Sequence, residues 1–242
     1  MFSRPFSFVP FQACMTAGHW RLLGASGGKD MLKLIGRNLS PYSRRVAVAM
    51  TLLDVPHSRE YLSVTADPDR GLELNPVGRV PVLELEDGER LIESAAILDY
   101  LMELVGPAKS LIPPHGRSRR DCIQLMAIGS GVLDKSVNAI YEVRRRPAEK
   151  VHEPWRQHLL RQAAGGLAAL DARAAKSHSQ NDRAWLLGEQ IGMADITAAV
   201  TVSFLRVMVP ELVTDGLYPA LYALTERAEA LPAFQAHPLE KP

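Results

Sequence analysis

Between Met31 and Val105 short apolar runs alternate with stretches of helical spacing, and beyond residue 116 only the helical spacing remains. Strands repeat about every two residues and amphipathic helices about every 3.6, so this change of period points to an α/β unit followed by a helical one. Met31-Leu32-Lys33-Leu34-Ile35 opens the first strand. Val46, Met50 and Leu53 then recur at helical spacing as far as Asp54-Val55-Pro56, where the proline disfavours helical geometry in the residue before it. His57 to Val64 reads as a second strand, Ala66 to Asn75 as a loop with a short helix, and Val82-Leu83-Glu84-Leu85-Glu86 as a half-buried third strand. Asp87-Gly88 is a hairpin signal that returns the chain through Arg90-Leu91-Ile92-Glu93, and Ala95 to Leu104 places Ile97, Leu98 and Leu101 on one helix face. The expected order over residues 31–105 is βαβαββα. Residues 106–116, rich in Gly, Pro and Ser, read as a linker. Arg119 to Tyr141, Trp155 to Ala175, Ala194 to Val209 and Pro219 to Ala230 carry apolar residues at helical spacing, so residues 117–242 are expected to form an all-helical bundle.

Composition removes several function classes. Among 242 residues, 28 Lys and Arg stand against 27 Asp and Glu for a net charge of +1, so no global basic field gathers nucleic acid or an anionic membrane surface. No apolar run approaches the roughly 18 residues of a membrane span. The two cysteines, Cys14 and Cys122, are far apart and form no CxxC, which offers neither a disulfide framework nor a cysteine metal cluster and points to a reducing, cytoplasmic setting. Residues 1–30 differ from the rest: they hold Arg4, Arg21 and Lys29, no acid before Asp30, and breaks at Pro5, Pro10 and Gly24-Ala25-Ser26-Gly27-Gly28. Phe6 to Phe11 is too short for a secretory core and contains Pro10. An organelle transit segment and residues upstream of a true start at Met31 both fit, the second better, and either reading puts residues 1–30 outside the fold.

The run Ser40-Pro41-Tyr42-Ser43-Arg44-Arg45-Val46 brings two hydroxyls to the first turn of the first helix. Pro41 suits the first helical position because its missing N–H has no intrahelical partner there, which makes Ser40 the N-cap. Free N–H groups and a partial positive charge then face whatever binds beside Ser40, a setting that favours an anion such as a thiolate. Taken alone, a serine here is better explained by capping.

Three stretches in this order, followed by a helical domain, resemble the soluble, thioredoxin-like glutathione S-transferases. They are the Ser40 to Val46 run, Asn75-Pro76-Val77-Gly78-Arg79-Val80-Pro81-Val82-Leu83, and Glu93-Ser94-Ala95-Ala96-Ile97-Leu98-Asp99-Tyr100-Leu101. Gly192-Met193-Ala194-Asp195 resembles the family's buried capping box, with Gly192 where Ser or Thr is usual, so a weakened cap on an intact fold is expected, with Asp195 structural. The resemblance implies a thioredoxin-like domain ahead of a helical bundle, a homodimer, and glutathione as co-substrate with no metal. It also implies a cis Val80-Pro81 bond that turns the Val80 backbone toward the cysteinyl backbone of glutathione, Glu93 at the γ-glutamyl ammonium and Ser94 at its carboxylate. On the residues alone, Ser94 reads as the cap of its helix. Arg79 is a candidate for the glycyl carboxylate, although a solvated arginine reads the same way in sequence.

Thiol ionisation supplies the chemistry. Glutathione's thiol, with a pKa of about 8.5, is mostly protonated at neutral pH, and a hydroxyl donating to sulfur beside a helix N-terminus favours the thiolate. Ser40 aligns with the activating serine or cysteine of the family, with Ser43 as the alternative, while Tyr42 is expected to pack its ring. Serine at position 40 cannot form a mixed disulfide, which disfavours glutaredoxin-like reduction and favours conjugation to a small electrophile or peroxide reduction. The serine-cysteine motif of the maleylacetoacetate-isomerising class is not matched. Met126, Tyr141 and Arg145 are candidates to line the electrophile site, Met126 being an ordinary core residue and Arg145 an ordinary solvated one otherwise. The competing reading is a non-catalytic protein of the same fold, a scaffold or small-molecule carrier.

Overall fold

The computed structural model describes residues 31–179 and 184–242, so residues 1–30, including Cys14, lie outside the described residues. Strand β1 (Leu32–Ile35) leads into helix α1 (Pro41–Leu52), β2 (His57–Glu60), α2 (Pro68–Leu74), β3 (Val82–Glu84), β4 (Arg90–Ile92) and α3 (Ser94–Val105). The four strands form one sheet in the order β2-β1-β3-β4. Strand β1 runs parallel to β2, with Leu34 opposite Arg59, and antiparallel to β3, with Leu34 opposite Leu83; β3 and β4 are antiparallel. The βαβαββα order is as expected. The β3–β4 return closes at Gly88, whose φ of 87° suits glycine, and the Asp87 carboxylate accepts from Glu89 N at 2.9 Å.

Side-chain alternation gives the sheet two covered faces. Leu32, Leu34 and Leu83 join α1 and α3 in the main core, while Ile35 and Val82 meet Leu62 and Leu74 in a smaller cluster under α2. Strand β2 stops at Glu60 rather than Val64, because Leu62 and Val64 pack into that smaller cluster instead of extending the ladder.

The second half is helical: α4 (Gly116–Arg144), α5 (Glu153–His178), α6 (Met193–Met208), α7 (Pro219–Glu229) and a short α8 (Pro232–Gln235), with 3₁₀ turns at Ala148–Lys150 and Pro210–Leu212. Helix α6, buried over most of its length, packs against α4, α7 and α1, so the main core is continuous across both halves. None of the described helices is long and apolar enough to cross a membrane.

Residues 106–116 join α3 to α4 and are held in place: Ile112 is buried, and Leu111 O accepts from Met193 N at 2.9 Å. A Cβ at Gly192 would lie 3.0 Å from that same Leu111 oxygen, a close approach that suits glycine. Asp195 still accepts from Gly192 N at 2.9 Å and from Leu186 N at 2.7 Å, half of a capping box plus a tie to the preceding turn. Burial pushes its carboxyl up to about 6 against those hydrogen bonds. The stretch after α8 returns to the sheet. Glu240 accepts from Arg37 Nε at 2.9 Å and Asn38 N at 2.7 Å, bracing the turn between β1 and α1.

Candidate active site

The turn from β1 delivers Ser40 in extended geometry, φ −70° and ψ 115°, and its Oγ accepts from Ser43 N at 3.3 Å. Ser40 is the N-cap and Pro41 the first helical residue, as the sequence suggests. Capping uses a lone pair only, and the Ser40 O–H has no acceptor among the described residues. Ser43 faces the other way. Its hydroxyl is fully buried without a partner, and a Cβ on Gly36, whose φ is +141°, would lie 2.5 Å from it. Gly36 also abuts Val80, so the Ser40 turn and the Val80–Pro81 segment are neighbours.

The Val80–Pro81 bond is cis. Buried Asn75 shapes the approach to it, its amide donating to Arg79 O at 3.0 Å and its oxygen accepting from Val77 N at 2.9 Å. Arg79 is exposed, and its guanidinium makes no bond among the described residues.

Glu93 occupies the cap of α3 with φ 64°, a left-handed conformation uncommon outside glycine, and leaves its carboxylate exposed. Ser94 therefore does not cap α3, contrary to the reading of the residues alone; it is the first helical residue. Its Oγ instead accepts from Arg45, at 2.7 Å from Nη2 and 3.2 Å from Nε. Arg45 Nη1 donates to Ser130 Oγ on α4 at 2.8 Å. Burial lowers the Arg45 guanidinium to about 10, partly offset by Tyr42, Asp134 and Glu93, so it remains charged at neutral pH. Tyr42 packs its ring as expected and also donates its hydroxyl to Asp134 of α4. Desolvation and the Asp134 carboxylate push that phenol far above its ordinary range, which keeps it protonated.

Of the residues expected to line a second site, Met126 does not reach a surface. It is 8% exposed, with its sulfur 3.9 Å from that of Cys122 in the core. Tyr141 and Arg145 are exposed near the end of α4, the guanidinium 5.3 Å from the ring centroid and donating to Thr65 Oγ1 at 2.8 Å. Arg44, Arg45, Ser130 and Asp134 were not anticipated. The two arginines are visible in sequence as a charged pair ahead of Val46-Ala47-Val48-Ala49-Met50, where a helix without an exposed face would have to bury charge; Ser130 and Asp134 carry no comparable signal. Among the described residues no group of three or more His, Cys, Asp or Glu side chains could hold a metal ion.

The glutathione S-transferase N-terminal domain family matches residues 34–109 and the corresponding C-terminal domain family residues 153–236. A maleylacetoacetate isomerase of Pseudomonas aeruginosa is 30% identical over 225 residues, covering 85% of this chain and 94% of that protein. Among solved structures, a glutathione S-transferase of Methylobacterium radiotolerans in complex with glutathione sulfonate superposes with a TM-score of 0.78 at 28% identity, covering 88% of this chain and 97% of that one. A glutathione S-transferase of Methylobacillus flagellatus with glutathione bound gives 0.77 at 28% identity, covering 85% and 98%. Two domain matches, a relative covered over 94% of its length and solved structures of the same overall fold agree: the chain belongs to the glutathione S-transferase family.

Proposed function

We propose that this protein binds glutathione between the Ser40 turn, the Val80–Pro81 segment and the N-terminus of α3, and directs its thiolate at a small electrophile. The observation that carries the reading is the Ser40 hydroxyl: it caps α1 through its oxygen and keeps its hydrogen for a sulfur placed at the same helix end. The glutathione ligands of the Methylobacterium and Methylobacillus structures support the co-substrate. In this scheme the Val80 backbone pairs with the cysteinyl unit, Arg79 meets the glycyl carboxylate, Glu93 the γ-glutamyl ammonium and Ser94 its carboxylate. The thiol proton leaves to solvent, the Ser40 O–H and the α1 N-terminus stabilise the resulting anion, and sulfur then forms a bond to the electrophilic carbon as the leaving group departs. In this reading Ser40 is the activating hydroxyl rather than the alternative Ser43, whose hydroxyl is buried beside Gly36. Tyr141 and Arg145 flank the electrophile, and the protein acts as a cytoplasmic homodimer.

A second reading shares the first step. The isomerase relatives of Pseudomonas aeruginosa and Drosophila melanogaster favour addition of the thiolate to an unsaturated carbon, bond rotation, and expulsion of the same thiolate. Both readings require a thiolate stabilised at Ser40. Difference absorbance of bound glutathione at mildly acidic pH tests it: a thiolate band in the parent that disappears in Ser40→Ala is expected. Binding without a band in either protein would assign the site to a carrier, and no binding at all to a scaffold.

A further inference from the structure

Arg44 and Arg45 are consecutive, equally inaccessible and differently matched. Arg44, 1% exposed, meets the Glu229 carboxylate through both terminal nitrogens at 2.7 and 2.6 Å. Arg45, 3% exposed, has no carboxylate within ion-pairing distance among the described residues; where a carboxylate would sit it meets the hydroxyls of Ser94 and Ser130. Asp134 and Glu93 offset part of its burial from a distance; a buried guanidinium with no direct ion pair is still costly, so a fold that keeps one gains from a counter-charge in contact with its hydroxyl partners.

The hydrogen-bond arithmetic says from which side that counter-charge comes. A guanidinium only donates, so the two N–H groups pointing at Ser94 occupy the lone pairs of its Oγ, and the hydroxyl hydrogen has to face away from Arg45. No acceptor for it exists among the described residues, and Ser130 is likewise left with an O–H to give. Two hydroxyls, each polarised by the same cation and each with a free hydrogen, fit the two oxygens of one carboxylate.

We propose that Arg45 is the positioning residue for the γ-glutamyl α-carboxylate of glutathione, supplying the buried positive charge through the hydroxyls of Ser94 on α3 and Ser130 on α4. The subsite is then shared by both domains. The inference rests on the glutathione reading above and adds to it a charge and a second-domain hydroxyl.

The test compares glutathione with γ-aminobutyryl-cysteinylglycine, which lacks only that carboxylate, by calorimetric titration of the parent, Arg45→Met and Arg45→Lys. The parent should prefer glutathione by about ten- to a hundredfold, the range of a charge-assisted hydrogen bond. Arg45→Met should lose most of that preference while binding the analogue as the parent does, and Arg45→Lys should keep part of it. A general structural defect would weaken both ligands together and leave the ratio intact. A folded variant with the parent's ratio, or a parent that binds the two ligands equally, overturns the inference; a parent that binds neither overturns the glutathione reading itself. If Arg45→Met fails to fold, Arg45→Lys and Ser94→Ala read the same ratio.

Discussion

The Arg44–Glu229 pair should respond asymmetrically to losing one member or the other. Glu229 keeps 31% of its side-chain surface exposed whereas Arg44 keeps 1%, so the carboxylate can be rehydrated without its partner and the guanidinium cannot. In Glu229→Ala the cation stays inside with only His237 O, at 2.8 Å from Nε, and the face of Phe234, 5.6 Å away, to compensate it. A buried charge stranded in this way costs about 3–5 kcal/mol. In Arg44→Met the stem volume is retained, Ser203 still donates to Glu229, and water reaches the free carboxylate, so the loss is that of ordinary charge-assisted hydrogen bonds, about 1–2 kcal/mol. At roughly 2–4 °C per kcal/mol for a chain of this size, the melting temperature should fall by about 6–20 °C in Glu229→Ala and about 2–8 °C in Arg44→Met. The double variant Arg44→Met/Glu229→Ala should be more stable than Glu229→Ala alone, because it removes the stranded cation. Thermal unfolding followed by circular dichroism ranks the three. If Arg44→Met proved as damaging as Glu229→Ala, or the double variant were the least stable, the assignment of the cost to guanidinium desolvation would be refuted.

Two further outcomes follow from neighbouring features. His237 bonds through Nε2 to Thr51 Oγ1 at 2.8 Å, and burial, then the charges of Arg59, His57 and Arg44, lower its pKa to about 4 from an ordinary 6.5. The unfolded chain therefore binds the proton more readily, so the stabilisation that His237 provides is complete above pH 6.5 and is lost as pH falls toward 4. The gap in melting temperature between parent and His237→Gln should shrink over that interval; a gap independent of pH would show that the imidazole titrates alike in the folded and unfolded chain. Gly36→Ala forces a side chain into φ +141° and places its Cβ 2.5 Å from Ser43 Oγ and 3.2 Å from Val80 Cβ. Strain and overpacking together should cost about 2–5 kcal/mol and weaken glutathione binding by moving the Ser40 turn; unchanged melting and unchanged affinity would remove Gly36 from the site's framework.

The sequence was most readable where a local rule governs. The βαβαββα order of elements, the Asp87-Gly88 return, the Ser40–Pro41 start of α1 and all four long helices of the second half follow from period, turn chemistry and capping, which act over a few residues. The boundary of β2 was less readable because Leu62 and Val64 have strand-like character but are held by α2. Ser94 looked like a cap because serine favours that position, yet its hydroxyl is claimed by Arg45 forty-nine residues earlier. Met126 reads in sequence either as a wall of the second site or as ordinary core, and its burial fits the second. The polar partners of α1 on α4 and α7 stayed illegible for the same reason: an acid or a serine on a long helix has the same sequence signature whether it meets water or a buried arginine.

Helix α1 ties that polar web together, since residues Ser40–Arg45 reach Asp134 and Ser130 on α4 and Glu229 on α7. The two halves are consequently not interchangeable parts. A chimera that joined residues 31–105 to the helical half of another family member would inherit two buried guanidinium groups, and would tolerate them only if the new half happened to carry an acid and a hydroxyl at those places. Diversification of this scaffold is thereby channelled away from α1 and toward the outer turns of α4, where Tyr141 and Arg145 can vary without stranding a charge.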